Sequence, residues 1–195
     1  MSIFKKNIAL GLCLTLSIIL GASLVQAQST TNTSEEFTVH EAKGPHSFTL
    51  SGAQGKYVAL HFILKTICPL CMRYTHEYAT REMEIPGVYH VFLKPDSDEE
   101  IEKWTGMLDE KFPLDGTENS WKAPIIFRDP DAKLAKAFDI PFGYEFHNQV
   151  VHYPALVILG PDGTEVFRFV GKSNRERFTF DQFAKKIKEL EKKQD

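Results

Sequence analysis

Two nearly continuous apolar runs dominate the pattern of this chain. Residues 57–65 (YVALHFILK) and 87–94 (GVYHVFLK) lack the alternation of a strand wetted on one side, so each predicts a strand covered on both faces. Between them, Leu70, Tyr74 and Tyr78 recur at helical spacing and predict a helix over residues 69–83. The acidic run from Asp96 to Glu100 opens a second helix to about Phe112, with its carboxylates at the positive end of the helix dipole. Short strands are expected at 37–40, 46–50 and 124–127, and a short amphipathic helix at 130–138. Residues 113–123 read as a polar loop and 141–153 as irregular chain bordering a site. Apolar segments 155–160 and 165–170, joined by Pro161-Asp162-Gly163, predict a β-hairpin. A final helix over 178–193 sets Phe180, Phe183, Ile187 and Leu190 on one face and its lysines toward solvent. Early alternation of strand and helix implies a parallel core, to which the hairpin adds antiparallel strands. The expected class is α/β: a central mixed sheet flanked by helices, ending in a hairpin and a helix, in one domain over 37–195 without an internal repeat.

Composition narrows the class without naming a function. With 43% hydrophobic and 25% charged residues the chain is globular, and 195 residues suit one domain. Three cysteines are too few for a disulfide-stapled miniprotein. The net charge of -3 argues against a nucleic-acid partner, which needs a basic excess.

The first 27 residues stand apart. Lys5 and Lys6 precede an apolar stretch from Ile8 to Val25, and Val25-Gln26-Ala27 resembles the small-residue pattern before a signal-peptidase cut. The stretch is marginal for spanning a bilayer, which favours a cleaved signal peptide (1–27) over a membrane anchor. A membrane association is expected only if the segment stays uncleaved. Cys13 follows Leu12, where a lipid-attachment motif needs a small residue. Residues 28–36, rich in Ser and Thr, read as a flexible leader.

Cleavage leaves Cys68 and Cys71 as the only thiols, in a compartment where disulfides persist. A structural bridge gains from closing a long loop, and these two are separated by only Pro69 and Leu70. Chemistry therefore explains the pair better than stability does. Cys68-Pro69-Leu70-Cys71 lies where the first apolar run ends and a helix begins, so free N–H groups and the helix dipole favour thiolate over thiol. Pro69 fits the first helical turn. Cys68 is expected to be exposed at the cap and Cys71 one turn inward. At pH 7 a thiol of pKa about 8.5 is about 3% thiolate and one of pKa about 7 is half thiolate. Lower basicity costs nucleophilicity, so the net rate gain is only a few-fold, and the main consequence is for redox poise.

Strand–CxxC–helix, followed far downstream by a proline opening a β-hairpin, resembles the thioredoxin-like superfamily. The segment DPDAKLAKAFDIPF with HYPALVILGPDGTEVFRFVG, within residues 129–171, is similar to the redoxin group, which includes the AhpC/TSA proteins and exported cytochrome-maturation thioredoxins. The resemblance implies a thiol–disulfide oxidoreductase exchanging electrons with protein partners, with Cys68 as nucleophile, Cys71 as resolving thiol, and no organic cofactor. It also implies that Pro154 is a cis proline facing the disulfide and that Tyr153 helps to select partners. The alternative for Pro154 is an ordinary trans proline at a strand's first position. Three departures from the pattern matter. No acid lies in residues 57–65, where thioredoxins bury a carboxylate, and His61 on that run reads as a hydrogen-bonded core histidine. Ile67 replaces the aromatic residue often found before the first cysteine. Lys65 stands three before Cys68, where peroxiredoxins carry Thr or Ser, which disfavours peroxidase activity.

A copper-binding chaperone is the main alternative. His147 and His152 follow the cysteine pair far downstream, and Cys68, Cys71 and His152 together would suit copper, as in Sco-type proteins of the same fold. Trp104 and Trp121 read as packing residues, and His76 as exposed. The expected setting is periplasmic or secreted, and the expected partners are extracytoplasmic proteins with thiols or disulfides and a membrane or periplasmic redox partner.

Overall fold

A computed structural model describes residues 35–65, 67–113 and 123–193. The expected signal peptide, most of the leader and Trp121 lie outside the described residues. No described helix is long and apolar enough to cross a membrane.

Seven strands form one mixed sheet in the order β2-β1-β5-β4-β3-β8-β9. Its centre is β3 (Tyr57–Phe62), all of whose residues are buried, parallel to β4 (Val88–Lys94). The second parallel neighbour is β5 (Ile126–Arg128), beside β4. Antiparallel strands complete both edges: β1 (Thr38–Glu41) with β2 (Ser47–Thr49), and β8 (Ala155–Leu159) with β9 (Glu165–Val170). Strand periodicity then divides the core. Val58, Leu60 and Phe62 point to one side with Phe127, Val157, Ala135 and Phe138, whereas Ala59 and His61 face the other.

That second side carries three helices: α1 (Pro69–Arg81), α2 (Asp98–Lys111) and α4 (Phe180–Glu191). Both α2 and α4 begin with capping boxes, Ser97 with Glu100 and Thr179 with Gln182, so two otherwise orphaned N–H groups are satisfied at each start. Phe180, Phe183 and Ile187 are buried as the helical spacing predicted, and Trp104 packs inside. His76 is half-buried and stacks on Phe112, so its expected exposure is not found. The opposite face holds α3 (Lys133–Ala137), preceded by a 3-10 turn at Pro130–Ala132. Asp129 ties this turn down by accepting the N–H groups of Leu134 and Ala135 at 2.7 and 3.0 Å.

The segment expected to be irregular is not. Residues Phe142–Phe146 (β6) and Gln149–His152 (β7) form a separate antiparallel hairpin. Its turn, His147-Asn148, takes positive φ at both positions, the geometry that matches the twist of paired strands. A bulge at Gly143, also at positive φ, shifts the register between Phe142 and Tyr144.

Candidate active site

The end of β3 leads directly into the cysteine pair. Two buried groups brace this connection: Lys94 donates to the carbonyl of Leu64 at 2.9 Å and pairs with Asp96 at 3.1 Å. Burial pushes the Lys94 ammonium down, against the pull of Asp96 that favours its charged form. Cys68 is then the N-cap of α1, in extended conformation, and Pro69 occupies the first helical position. The two cysteines are joined in a disulfide, with Cα atoms 5.1 Å apart. Cys68 Sγ also accepts the N–H of Cys71 at 3.2 Å, so the sulfur takes the place of a capping oxygen.

This cap geometry overturns one expectation. Cys68 is not exposed: it is 0% accessible and Cys71 1%. A side chain that folds back over the helix end to meet the Cys71 N–H turns its sulfur away from solvent. The cover is nevertheless thin, because the flanking Ile67 and Pro69 are exposed.

Three further elements close around Cys71. Pro154, immediately before β8, lines the same small recess as Cys71, a cavity of about 10 Å3. The Tyr153–Pro154 bond is trans, since the described residues contain no cis peptide, and the expected cis proline is corrected accordingly. The alternative of a trans proline opening a strand holds: trans is the lower-energy X–Pro state, and Tyr153 N–H reaches Pro141 O at 2.8 Å in that form. Tyr153 itself is half-buried and packs on Tyr144, with ring centroids 5.2 Å apart.

The chain leaving β9 folds back toward the site. Gly171 N–H donates to Pro154 O at 2.9 Å, and a Cβ at Gly171 would collide with the carbonyl oxygen of Glu176. Only glycine permits so tight a return, which brings Arg177 to Cys71 with Nη2 3.4 Å from Sγ. Tyr78, on α1, fixes the next stretch by donating to Phe178 O at 2.8 Å.

Beneath α1 lies a buried polar chain. Tyr74 Oη meets His61 Nδ1 at 2.7 Å, and His61 Nε2 meets His90 Nδ1 at 3.0 Å. Each contact needs one donor, so the two rings share the chain as neutral imidazoles. Burial holds His61 well below the ordinary histidine range and His90 at about 4. The core role read for His61 thus has its partners, Tyr74 and His90, and neither ring reaches the sulfurs in a hydrogen bond.

His152 is buried, donates Nδ1–H to its neighbour's carbonyl, Tyr153 O, at 2.7 Å, and is pushed down by burial. Among the described residues no group of three or more His, Cys, Asp or Glu side chains converges as a metal site would require. Cys68, Cys71 and Pro154 therefore come together, Tyr153 stands alongside, and His152 does not join the sulfurs. Arg177 was missed because a lone arginine in a polar loop carries no local motif.

Solved structures share this fold. The chain is similar to peroxiredoxin 6 of Arenicola marina, with TM-score 0.69 at 15% identity over 83% of this chain and 72% of that one. It is also similar to the yeast mitochondrial 1-Cys peroxiredoxin, with TM-score 0.67 at 14% identity over 83% and 75%. An exposed lipoprotein thioredoxin of Streptococcus pneumoniae matches with TM-score 0.58 at 18% identity, over 80% of this chain and 99% of the other. No curated protein matches the sequence. The model of the AhpC/TSA family matches residues 31–166, a span that holds six of the seven strands of the sheet and the head of α1: the chain belongs to the AhpC/TSA family.

Proposed function

We propose that the protein is an exported thiol–disulfide oxidoreductase that exchanges electrons with protein partners through Cys68 and Cys71. The observation that carries this reading is the disulfide closed across the first turn of α1, where backbone N–H groups and the helix dipole favour a thiolate on opening. Family membership supplies thiol redox chemistry in general, and the solved structures that share this chain's fold include both peroxiredoxins and a thioredoxin. Two features favour exchange over peroxide reduction. A resolving cysteine is already bonded to Cys68, and Lys65 stands where the peroxiredoxin pattern has Thr or Ser. The apolar segment before Ala27 supports export to a periplasmic or secreted setting, and an exposed lipoprotein thioredoxin is built on the same fold.

In the exchange, a partner thiolate attacks Cys68, the Cys68–Cys71 bond breaks, and the electron pair leaves on Cys71. The partner's second thiolate then attacks its own sulfur in the mixed disulfide and releases Cys68 as a thiolate at the head of α1. The partner dithiol is oxidised and the protein disulfide reduced; the reverse sequence reduces a partner disulfide. Pro154 lines the recess at Cys71, the leaving sulfur, and Tyr153 adjoins it, as a platform for the partner chain. Because both sulfurs are buried, attack requires the exposed flank at Ile67 and Pro69 to swing aside.

The test is trapping. Cys71→Ser is expected to accumulate mixed disulfides with extracytoplasmic proteins, and Cys68→Ser is not. Equal trapping by both variants, or by neither, contradicts the assigned roles. Rapid consumption of hydrogen peroxide by the reduced protein would instead place it with the peroxidases of the family.

A further inference from the structure

We infer that Arg177 is the residue that receives negative charge on Cys71 when the disulfide opens. The inference rests on the exchange reading above and assigns that reaction a leaving-group stabiliser from outside the CxxC motif. Arg177 Nη2 points at Cys71 Sγ across 3.4 Å, while Nη1 is held by the carbonyls of Ser173 and Glu176 at 3.2 and 3.0 Å. The guanidinium is therefore oriented by its own loop and aimed at the sulfur. Among the described residues no carboxylate forms an ion pair with it, although other surface arginines such as Arg81 and Arg168 are so paired. Burial pushes Arg177 down, and only the phenols of Tyr74 and Tyr144 act the other way.

A half-buried cation without an anion is costly, and the cost falls when a partner charge appears. The recess lined by Cys71 offers one place for it. Its other lining side chains are apolar except Tyr74 and Arg177, and Tyr74 Oη is engaged by His61. Burial raises the phenol of Tyr74 further above its ordinary range, so at neutral pH it supplies no charge. In the disulfide state neither sulfur is charged, and no described residue supplies Arg177 with a counter-ion. When a partner thiolate bonds to Cys68 and the electron pair passes to Cys71, the new thiolate forms against the waiting guanidinium.

The two sulfurs thus have separate stabilisers: Cys68 the N–H of Cys71 at the head of α1, and Cys71 the loop before α4. Stabilising the reduced form makes the disulfide easier to open, so Arg177 biases the protein toward accepting electrons from partner dithiols.

The experiment titrates Cys71 in Cys68→Ser, with Cys13→Ser added so that one thiol remains, reading thiolate absorbance and alkylation rate against pH. The Cys71 midpoint is expected below the ordinary thiol value of about 8.5, although burial alone would raise it. Adding Arg177→Gln is expected to move that midpoint up by about one unit, a tenfold change in the acid dissociation constant, and Arg177→Lys to recover most of it. In the protein with both Cys68 and Cys71, Arg177→Gln is expected to shift the equilibrium with glutathione about tenfold toward the disulfide. A Cys71 midpoint above about 8.5 in Cys68→Ser overturns the inference whether or not the arginine variants fold. An unchanged midpoint in a folded Arg177→Gln variant does so too. Loss of partner trapping with a depressed Cys71 midpoint would sink the exchange function and leave the Arg177 pairing standing.

Discussion

Tyr144 Oη accepts the N–H of Asn174 at 3.0 Å and so joins two segments that meet beside the disulfide. Tyr144 belongs to the β6–β7 hairpin, and Asn174 to the return loop that ends at Arg177. Phe146 and Val151 of the same hairpin lie in the buried cluster that contains both cysteines. Hairpin and loop are consequently one cover, fastened by a phenol.

Removing that fastening tests the cover. Tyr144→Phe keeps the ring packed on Tyr153 and leaves the Asn174 N–H without its acceptor. The expected loss is about 1 kcal/mol of stability, measured by denaturant midpoint. The more telling expectation is faster opening of the disulfide by a small dithiol, seen as an increased rate constant below the unfolding transition.

The buried ion pair under the connection from β3 gives a second expectation. Lys94→Met removes the partner of Asp96 and the donor to Leu64 O while nearly preserving volume. Leaving a carboxylate buried without its cation is expected to cost about 3–5 kcal/mol. Lys94→Met combined with Asp96→Leu should recover a large part of that loss, as a double-mutant cycle would measure.

Acid sensitivity follows from the histidines beneath α1. Both are held neutral in the folded protein, with values depressed below the ordinary value of 6.5, and His90 lies at about 4. The unfolded chain takes up these protons first. Their contribution is therefore complete above pH 6.5 and is lost as pH falls through the folded values, for His90 over the window from 6.5 to about 4. Unfolding free energy is expected to fall in that window by about 1.4 kcal/mol per pH unit for each histidine. His90→Gln, with an amide that can still meet His61, should make the slope shallower by one proton when denaturant midpoints are compared at pH 7, 5.5 and 4.5.

Much of this fold is legible in the chain because strong local signals agree with it. The continuous apolar run at 57–65 marks the central strand, and Phe180, Phe183 and Ile187 mark the buried face of α4. Cys68 at the junction of strand and helix places the site. The hairpin at β6–β7 was hidden although Phe142, Tyr144 and Phe146 keep a period of two: Pro141 and Gly143 read as loop, and His147-Asn148 is a weaker turn signal than Asn-Gly. Burial of Cys68 was hidden for another reason: helix caps are recognised through oxygen side chains, and here a sulfur takes the inward position. The approach of Arg177 to Cys71 spans 106 residues of chain, and no sequence window contains it.

The central claim is that Cys68 and Cys71 form a bridge that opens and closes in use, and a redox titration of the purified protein in glutathione buffers measures this directly. The account predicts a reversible two-electron transition with a midpoint above about -300 mV, within reach of thiol partners. A disulfide that stays closed across the whole buffer range, with a potential below about -300 mV, would be a static brace and would contradict the account.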